Sequence, residues 1–235
     1  MSVFKANPPQ MAITLRVLAR LLSDPHATMR ERLVEMRDAL HSEHVLSPGR
    51  LAEIDELIER LRMARPLDAE AAYVELFDRG RGTALHLFEH VHGDSRDRGP
   101  AMVDLVKTYE QAGLLLAPGE LPDHLCVVLE YASTQPAAQA REFLREIAHI
   151  LQVIFNALLK RESNYSSALA ALLDLAGEAA QSVKLPAEPA LDDSWQEPPA
   201  FGGCSTEGQA SPGQPQSIQI VKRPSAAQSA PGARA

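Results

Sequence analysis

Residues 137–160 read AAQAREFLREIAHILQVIFNALLK, with large apolar side chains at Leu144, Ile147, Leu151, Ile154 and Leu158. Steps of three and four residues keep those side chains on one face of an α-helix, because 3.6 residues complete a turn. Pro136 closes off the preceding segment, so this stripe predicts the longest helix of the chain. Ser163 is placed to cap a final helix that buries Tyr165, Leu169, Leu172 and Leu175.

The same period runs back toward the N-terminus. Met11, Leu15, Leu18 and Leu22 form one stripe, stopped at Asp24-Pro25. Thr28-x-x-Glu31 reads as a capping box for a helix burying Leu33, Met36 and Leu40. Ser47-Pro48 reads as an N-cap with proline at the first helical position, ahead of Leu51, Ile54, Leu57, Ile58 and Leu61. Pro66 opens a helix ending near Phe77, where Gly80 and Gly82 break it. Short helices follow around Leu85–Val91 and Met102–Tyr109, and Asp123 is read as the cap of a helix holding Leu125, Val128, Leu129 and Tyr131. No convincing strand and no internal repeat emerges. About nine helices with short connections make an all-α, compact helical bundle.

Composition agrees. Apolar residues make up 45% of the 235 and aromatics only 5%, so the core must rest on helix-favouring Leu and Ala. The formal charge is −8, a surface that repels nucleic-acid phosphates and anionic lipid and suits a basic peptide. Cys126 sits in an apolar run and Cys204 near the C-terminus, which argues against a structural disulfide and for a reducing cytoplasm. The start MSVFKANPPQ lacks the pattern of a secretory signal, and no apolar run approaches the roughly 18–20 residues of a membrane span. From Pro186 onward lie 8 of the 17 prolines, among Gly, Ser, Gln and Ala. The expected organisation is a helical domain over 1–183, with a hinge near 117–123, and a mostly disordered tail over 184–235. Within the tail, Trp195 and Phe201 mark a spot expected to dock back on the domain.

The richest block for function is 73–99, YVELFDRGRGTALHLFEHVHGDSRDRG. His86-Leu87-Phe88-Glu89-His90 matches H-x-x-E-H, in which two imidazoles hold zinc and the glutamate serves as base. The plainer reading is an amphipathic helix with Leu87, Phe88 and Val91 inward and the polar groups at its rim. Arg79-Gly80-Arg81-Gly82 lacks the lysine and the strand of a phosphate loop and reads as a helix end. Arg96, Asp97 and Arg98 read as a solvated turn. Glu120-Leu121-Pro122-Asp123-His124 reads as a capped inter-helix loop that also lines a groove.

That block, followed by AMVDLVKTYEQAGL and ELPDHL, resembles the delta-subunit, NarJ-type assembly chaperones of respiratory nitrate reductases, within the all-helical chaperones of molybdenum enzymes. The resemblance covers the body to about residue 180, and Trp195-x-Glu197-Pro198-Pro199 extends it. It implies a binding protein and not an enzyme, with no cofactor of its own and no metal. The expected partner is the apo nitrate reductase alpha subunit, held by its N-terminal segment until the molybdenum cofactor and an iron–sulfur cluster are in place, before membrane docking. Molybdenum cofactor biosynthesis proteins are expected as further partners. It implies that Glu120, Pro122, Asp123 and His124 form the peptide-binding motif. Tyr73, Phe77, Leu87 and Phe88 are the expected groove walls, and Glu89, with His86 and His90, the polar edge. Protonation of His86, His90, His92 and His124 is expected to weaken the hold on a basic ligand. The residues alone leave two alternatives: a zinc-dependent hydrolase using His86, Glu89 and His90, and a general holdase.

Overall fold

A computed structural model describes residues 11–93 and 95–182. The described residues form eleven α-helices and no strand. In order these are α1 (Ala12–Leu21), α2 (Ala27–Glu31), α3 (Leu33–Glu43), α4 (Pro48–Met63), α5 (Pro66–Tyr73), α6 (Leu87–His92), α7 (Arg98–Gln111), α8 (Leu125–Thr134), α9 (Ala137–Glu146), α10 (Ala148–Lys160) and α11 (Ser166–Ala176). A π-helical turn, Val74–Asp78, and a 3-10 turn, Arg81–Thr83, link α5 to α6. The expectations placed on the tail and on Trp195 lie outside the described residues.

The last helix is the centre of the bundle. From Ser167 to Ala176, α11 is buried on every side except at Asp174. A helix apolar around its whole circumference has to be enclosed, and α4, α9 and α10 supply the enclosure. Asp174, its one outward acid, accepts a hydrogen bond from Arg50 Nε of α4 at 2.8 Å. Helix α1 packs along α8 and against α3, and also touches α11. Ser47 opens α4 as expected: its Oγ accepts from the backbone N–H of Arg50 at 3.2 Å, with Pro48 at the first turn.

Two of the nine expected helices are each divided. Thr28 lies inside α2, and α3 starts afresh after Arg32, which makes no side-chain cap, so the residues of the expected capping box do not open α3. The 144–158 stripe is interrupted at Ile147 (φ −93°, ψ 0°), which ends α9 and precedes α10. Leu144, Leu151, Ile154 and Leu158 are nonetheless fully buried, because a one-residue adjustment leaves their phase intact. The longest helix is therefore α4, with 16 residues. Ser163 caps only the lead-in to α11: its carbonyl accepts from Ser166 N–H at 3.1 Å.

The link from α5 to α6 fixes the chain's course toward the site. Tyr73 and Phe77, one turn apart, pack against Tyr165 with ring centroids 6.2 and 5.0 Å away. The Tyr73 hydroxyl donates to Leu22 O at 2.8 Å. Thr83, fully buried, donates through Oγ1 to Leu76 O. A Cβ at Gly80 would lie 2.6 Å from that same carbonyl and 2.8 Å from Arg161 Nη1, so any side chain there forces the turn to shift.

Candidate functional site

Two short segments meet edge to edge beside α6 and α8. The backbone N–H of Leu125 donates to Leu85 O at 2.8 Å, and that of Leu87 to Asp123 O at 3.0 Å. This isolated antiparallel bridge brings His86 against His124, ring centroids 4.9 Å apart and planes at 73°. Tyr109, near the end of α7, donates its hydroxyl to Pro122 O at 2.8 Å and holds the segment from the other side.

Asp123 occupies the junction with no solvent exposure. Its Oδ2 accepts from the backbone N–H of Phe88 at 3.3 Å, in the first turn of α6, and lies 3.4 Å from Arg98 Nη2. His86 Nδ1 stands 3.5 Å from Oδ1, in ion-pair range but too far for a well-directed hydrogen bond. The expectation that Asp123 caps its own following helix is corrected: it caps α6, 35 positions earlier, and His124 caps α8 by accepting from Cys126 N–H at 3.3 Å. Burial alone would raise the Asp123 carboxyl. The favourable contacts of His86, Arg98 and Phe88 N–H outweigh it and hold the group below its ordinary range.

The two imidazoles are driven apart. The carboxylate of Asp123 raises His86, against the effect of burial. Burial, helped by the charge on His86, lowers His124. The lowering favours the neutral imidazole, the state its Nδ1 needs in order to accept the Cys126 N–H.

His124 also faces a groove of about 740 Å³. Its walls are α1, with Ala19, and α8, with Val127 and Tyr131; Leu114–Ala117 lie along its margin, and the largely buried Tyr73 and Tyr109 also line it. Acids outnumber bases there: Asp24, Asp78, Glu120 and Glu130 against Arg16 and Arg20. Both arginines are engaged, Arg16 Nε donating to Ser133 Oγ at 3.1 Å and Arg20 pairing with Glu130 at 3.1 Å. Cys126 lines the groove half-buried, and burial pushes its thiol up to about 12, away from nucleophilic chemistry.

The structure divides the sequence-derived candidates among three places. Tyr73, Glu120 and His124 border the groove. His86, Glu89 and Asp123 belong to the charged junction, where Glu89 lies 3.3 Å from Arg98. Phe77 and Leu87, with 4% and 3% exposure, are spent in the core and offer no wall. Pro122 supplies its carbonyl to Tyr109, Phe88 is half-buried beside His92, and His90 Nε2 bonds Ala84 O at 2.8 Å. The H-x-x-E-H donors do not converge, because His86 precedes α6 in extended backbone while Glu89 and His90 face separate partners. Among the described residues no cluster of three His, Cys, Asp or Glu is placed to hold a metal ion.

Sequence reading missed Arg98 and the α1 wall. Arg98, expected in a solvated turn, reaches the buried carboxylate. Arg16 and Arg20 stand four residues apart on a helix otherwise almost wholly buried, a spacing that signals a shared polar face.

Comparison with known proteins proceeds from fold to family. The chain superposes on a candidate redox enzyme maturation protein from Archaeoglobus fulgidus with TM-score 0.52 and 16% identity, over 75% of this chain and 100% of that one. At that identity the likeness is one of fold, the all-helical fold of that protein. The family model of the nitrate reductase delta subunit matches residues 46–171. The chain is 44% identical over 187 residues to the nitrate reductase molybdenum cofactor assembly chaperone NarJ of Escherichia coli K12, covering 80% of this chain and 79% of that protein. A Bacillus subtilis protein named as a candidate chaperone of the same kind is 30% identical over 170 residues, 71% of this chain and 90% of its own length. The chain belongs to the nitrate reductase delta subunit family.

Proposed function

We propose that this protein is a dedicated, non-catalytic assembly chaperone for nitrate reductase, acting in the cytoplasm on the alpha subunit before its molybdenum cofactor is inserted. The observation that carries the reading is a groove of mixed lining, with apolar strips from α1, α8 and Leu114–Ala117 and an excess of acids, in a chain of this family. The N-terminal segment of the alpha subunit, folding as an amphipathic helix, lays its apolar face against Ala19, Val127 and Tyr131 and its basic residues beside Asp24, Asp78 and Glu120. Cofactor and iron–sulfur insertion follow while the subunit is held, and docking on the membrane follows release. Among the described residues no helix is long and apolar enough to cross a membrane. Glu120, Pro122, Asp123 and His124 contribute in two ways: Glu120 and His124 border the groove, and Pro122 and Asp123 fix the backbone beneath it.

Calorimetric titration of the full chain with a synthetic peptide of the alpha subunit's first residues tests this reading. Saturable one-to-one binding that a scrambled peptide does not reproduce is the expected result. Equal binding of the scrambled peptide means a general holdase, and no binding removes the N-terminal segment as the recognised element.

A further inference from the structure

Between Gly113 (φ +79°) and Gly119 (φ +89°) the chain runs Leu114-Leu115-Leu116-Ala117-Pro118. This run carries no polar side chain, and Leu114–Ala117 all border the groove. Leu115 is 87% exposed, more than any other large apolar residue among those described. The loop is tied down only near its ends, Leu114 N–H donating to Tyr109 O at 2.9 Å and Glu120 N–H to Ala117 O at 3.1 Å. Positive φ at both ends is a conformation that glycine adopts without steric cost: Gly113 closes α7 in a left-handed cap and Gly119 completes the turn Ala117–Glu120, so the apolar run is set off between two corners.

A bare leucine at the edge of a groove gains by being covered, and the groove's charge says by what. Its two arginines are already engaged, while Asp24, Asp78 and Glu120 leave an acidic margin. That margin fits a basic, amphipathic helix and repels an acidic one. We propose that Leu114–Leu116 form a clamp, with Leu115 closing over such a helix after it has entered the groove. The inference rests on the peptide-binding reading above and adds to it: the recognised helix is gripped from two sides. It must then carry an apolar residue on its outer flank as well as on the face toward α1 and α8. Release becomes the opening of a short loop, with no rearrangement of the bundle.

The test is Leu115→Ser in the full chain, titrated with the alpha-subunit N-terminal peptide, beside Leu67→Ser as an exposed apolar change outside the groove. Leu115→Ser is expected to keep the wild-type melting temperature and to bind about tenfold more weakly, chiefly through faster dissociation. Leu67→Ser is expected to bind as wild type. Hydrogen exchange of the amides of residues 114–117 is expected to slow when the peptide binds. Wild-type binding with Leu115→Ser affinity within about twofold overturns the clamp and leaves the groove reading standing. Absence of peptide binding by the wild type overturns both.

Discussion

Arg98 Nη2 stands 3.4 Å from Asp123 Oδ2, and this contact joins the first turn of α7 to the loop that feeds α8. The same guanidinium nitrogen lies 3.3 Å from Glu89 of α6. A cation at a helix N-terminus opposes the helix dipole, so its position is repaid by these two carboxylates. With Tyr109 bonded to Pro122, both ends of α7 grip the dipeptide Pro122-Asp123. The groove residue His124 follows directly on that dipeptide.

Arg98→Ala leaves the wholly buried carboxylate of Asp123 with only Phe88 N–H and His86 as partners. Losing one partner of a buried charge is costly, but Arg98 itself is part exposed, which moderates the effect. Urea denaturation is expected to show a loss of about 1–3 kcal/mol. A change below about 0.5 kcal/mol would mean that water replaces the guanidinium without cost.

The histidine pair makes stability depend on pH in two opposed directions. His86 is raised in the folded state, so its contribution is complete below the unfolded value of about 6.5 and fades as pH rises through the raised one. His124 is lowered, so its contribution is present above about 6.5 and fades as pH falls toward the folded value. In the wild type the two slopes lie on opposite sides of about 6.5, so the pair's contribution is greatest near that pH and declines on either side. Removing one leaves the other: His86→Gln is expected to keep the loss of stability below about 6.5 and to be flat above it, and His124→Asn to keep the loss above about 6.5 and to be flat below it. Asn at 124 retains an oxygen to cap α8. Parallel pH slopes for both variants, read by urea denaturation, would dissolve the coupling.

What the sequence made legible was whatever one helix states about itself. Ser47-Pro48 opens α4 because cap and helix are adjacent in the chain. The Leu144–Leu158 stripe located the buried faces of α9 and α10 but not the interruption at Ile147, since a break that preserves phase leaves the hydrophobic period unchanged. The site was half legible. An Asp just before a helix reads as a local cap, and only the bridge between residues 85–87 and 123–125 carries Phe88 N–H to it. Phe77 and Leu87 read equally as core or as wall, because apolar patterning says that a side chain is covered but not by what. The groove's α1 wall is not legible in the stripe of Met11, Leu15, Leu18 and Leu22, because that stripe marks the face turned to the core while Arg16, Ala19 and Arg20 line the groove.

Two substitutions probe the frame that holds the site. Gly80→Ala forces a methyl to within 2.6 Å of Leu76 O, and the turn must open or Thr83 must move; a loss of about 1–3 kcal/mol is expected. Leu151→Ala, at a fully buried position in α10, is expected to cost about 2–5 kcal/mol as a cavity. Peptide affinity of the folded Leu151→Ala protein should stay at the wild-type value, since this side chain is absent from the groove wall. Weaker binding by that variant would show that the core and the groove are energetically coupled.

The acidic margin of the groove makes a kinetic prediction distinct from the stability ones. Glu120 is exposed and makes no ion pair among the described residues, so Glu120→Lys should shift folding stability by no more than about 0.5 kcal/mol. A charge at the rim of an interface acts mainly on encounter: the association rate with the basic peptide should fall several-fold, and its dependence on salt should flatten. The same reversal at Glu178, exposed beyond the end of α11 and outside the groove, alters net charge equally but not the local field. If both variants slow association to the same extent, the peptide responds to the overall charge of −8 and not to the groove's own margin. If only Glu120→Lys does so, the ligand's basic residues pass beside the Glu120–His124 loop as it enters.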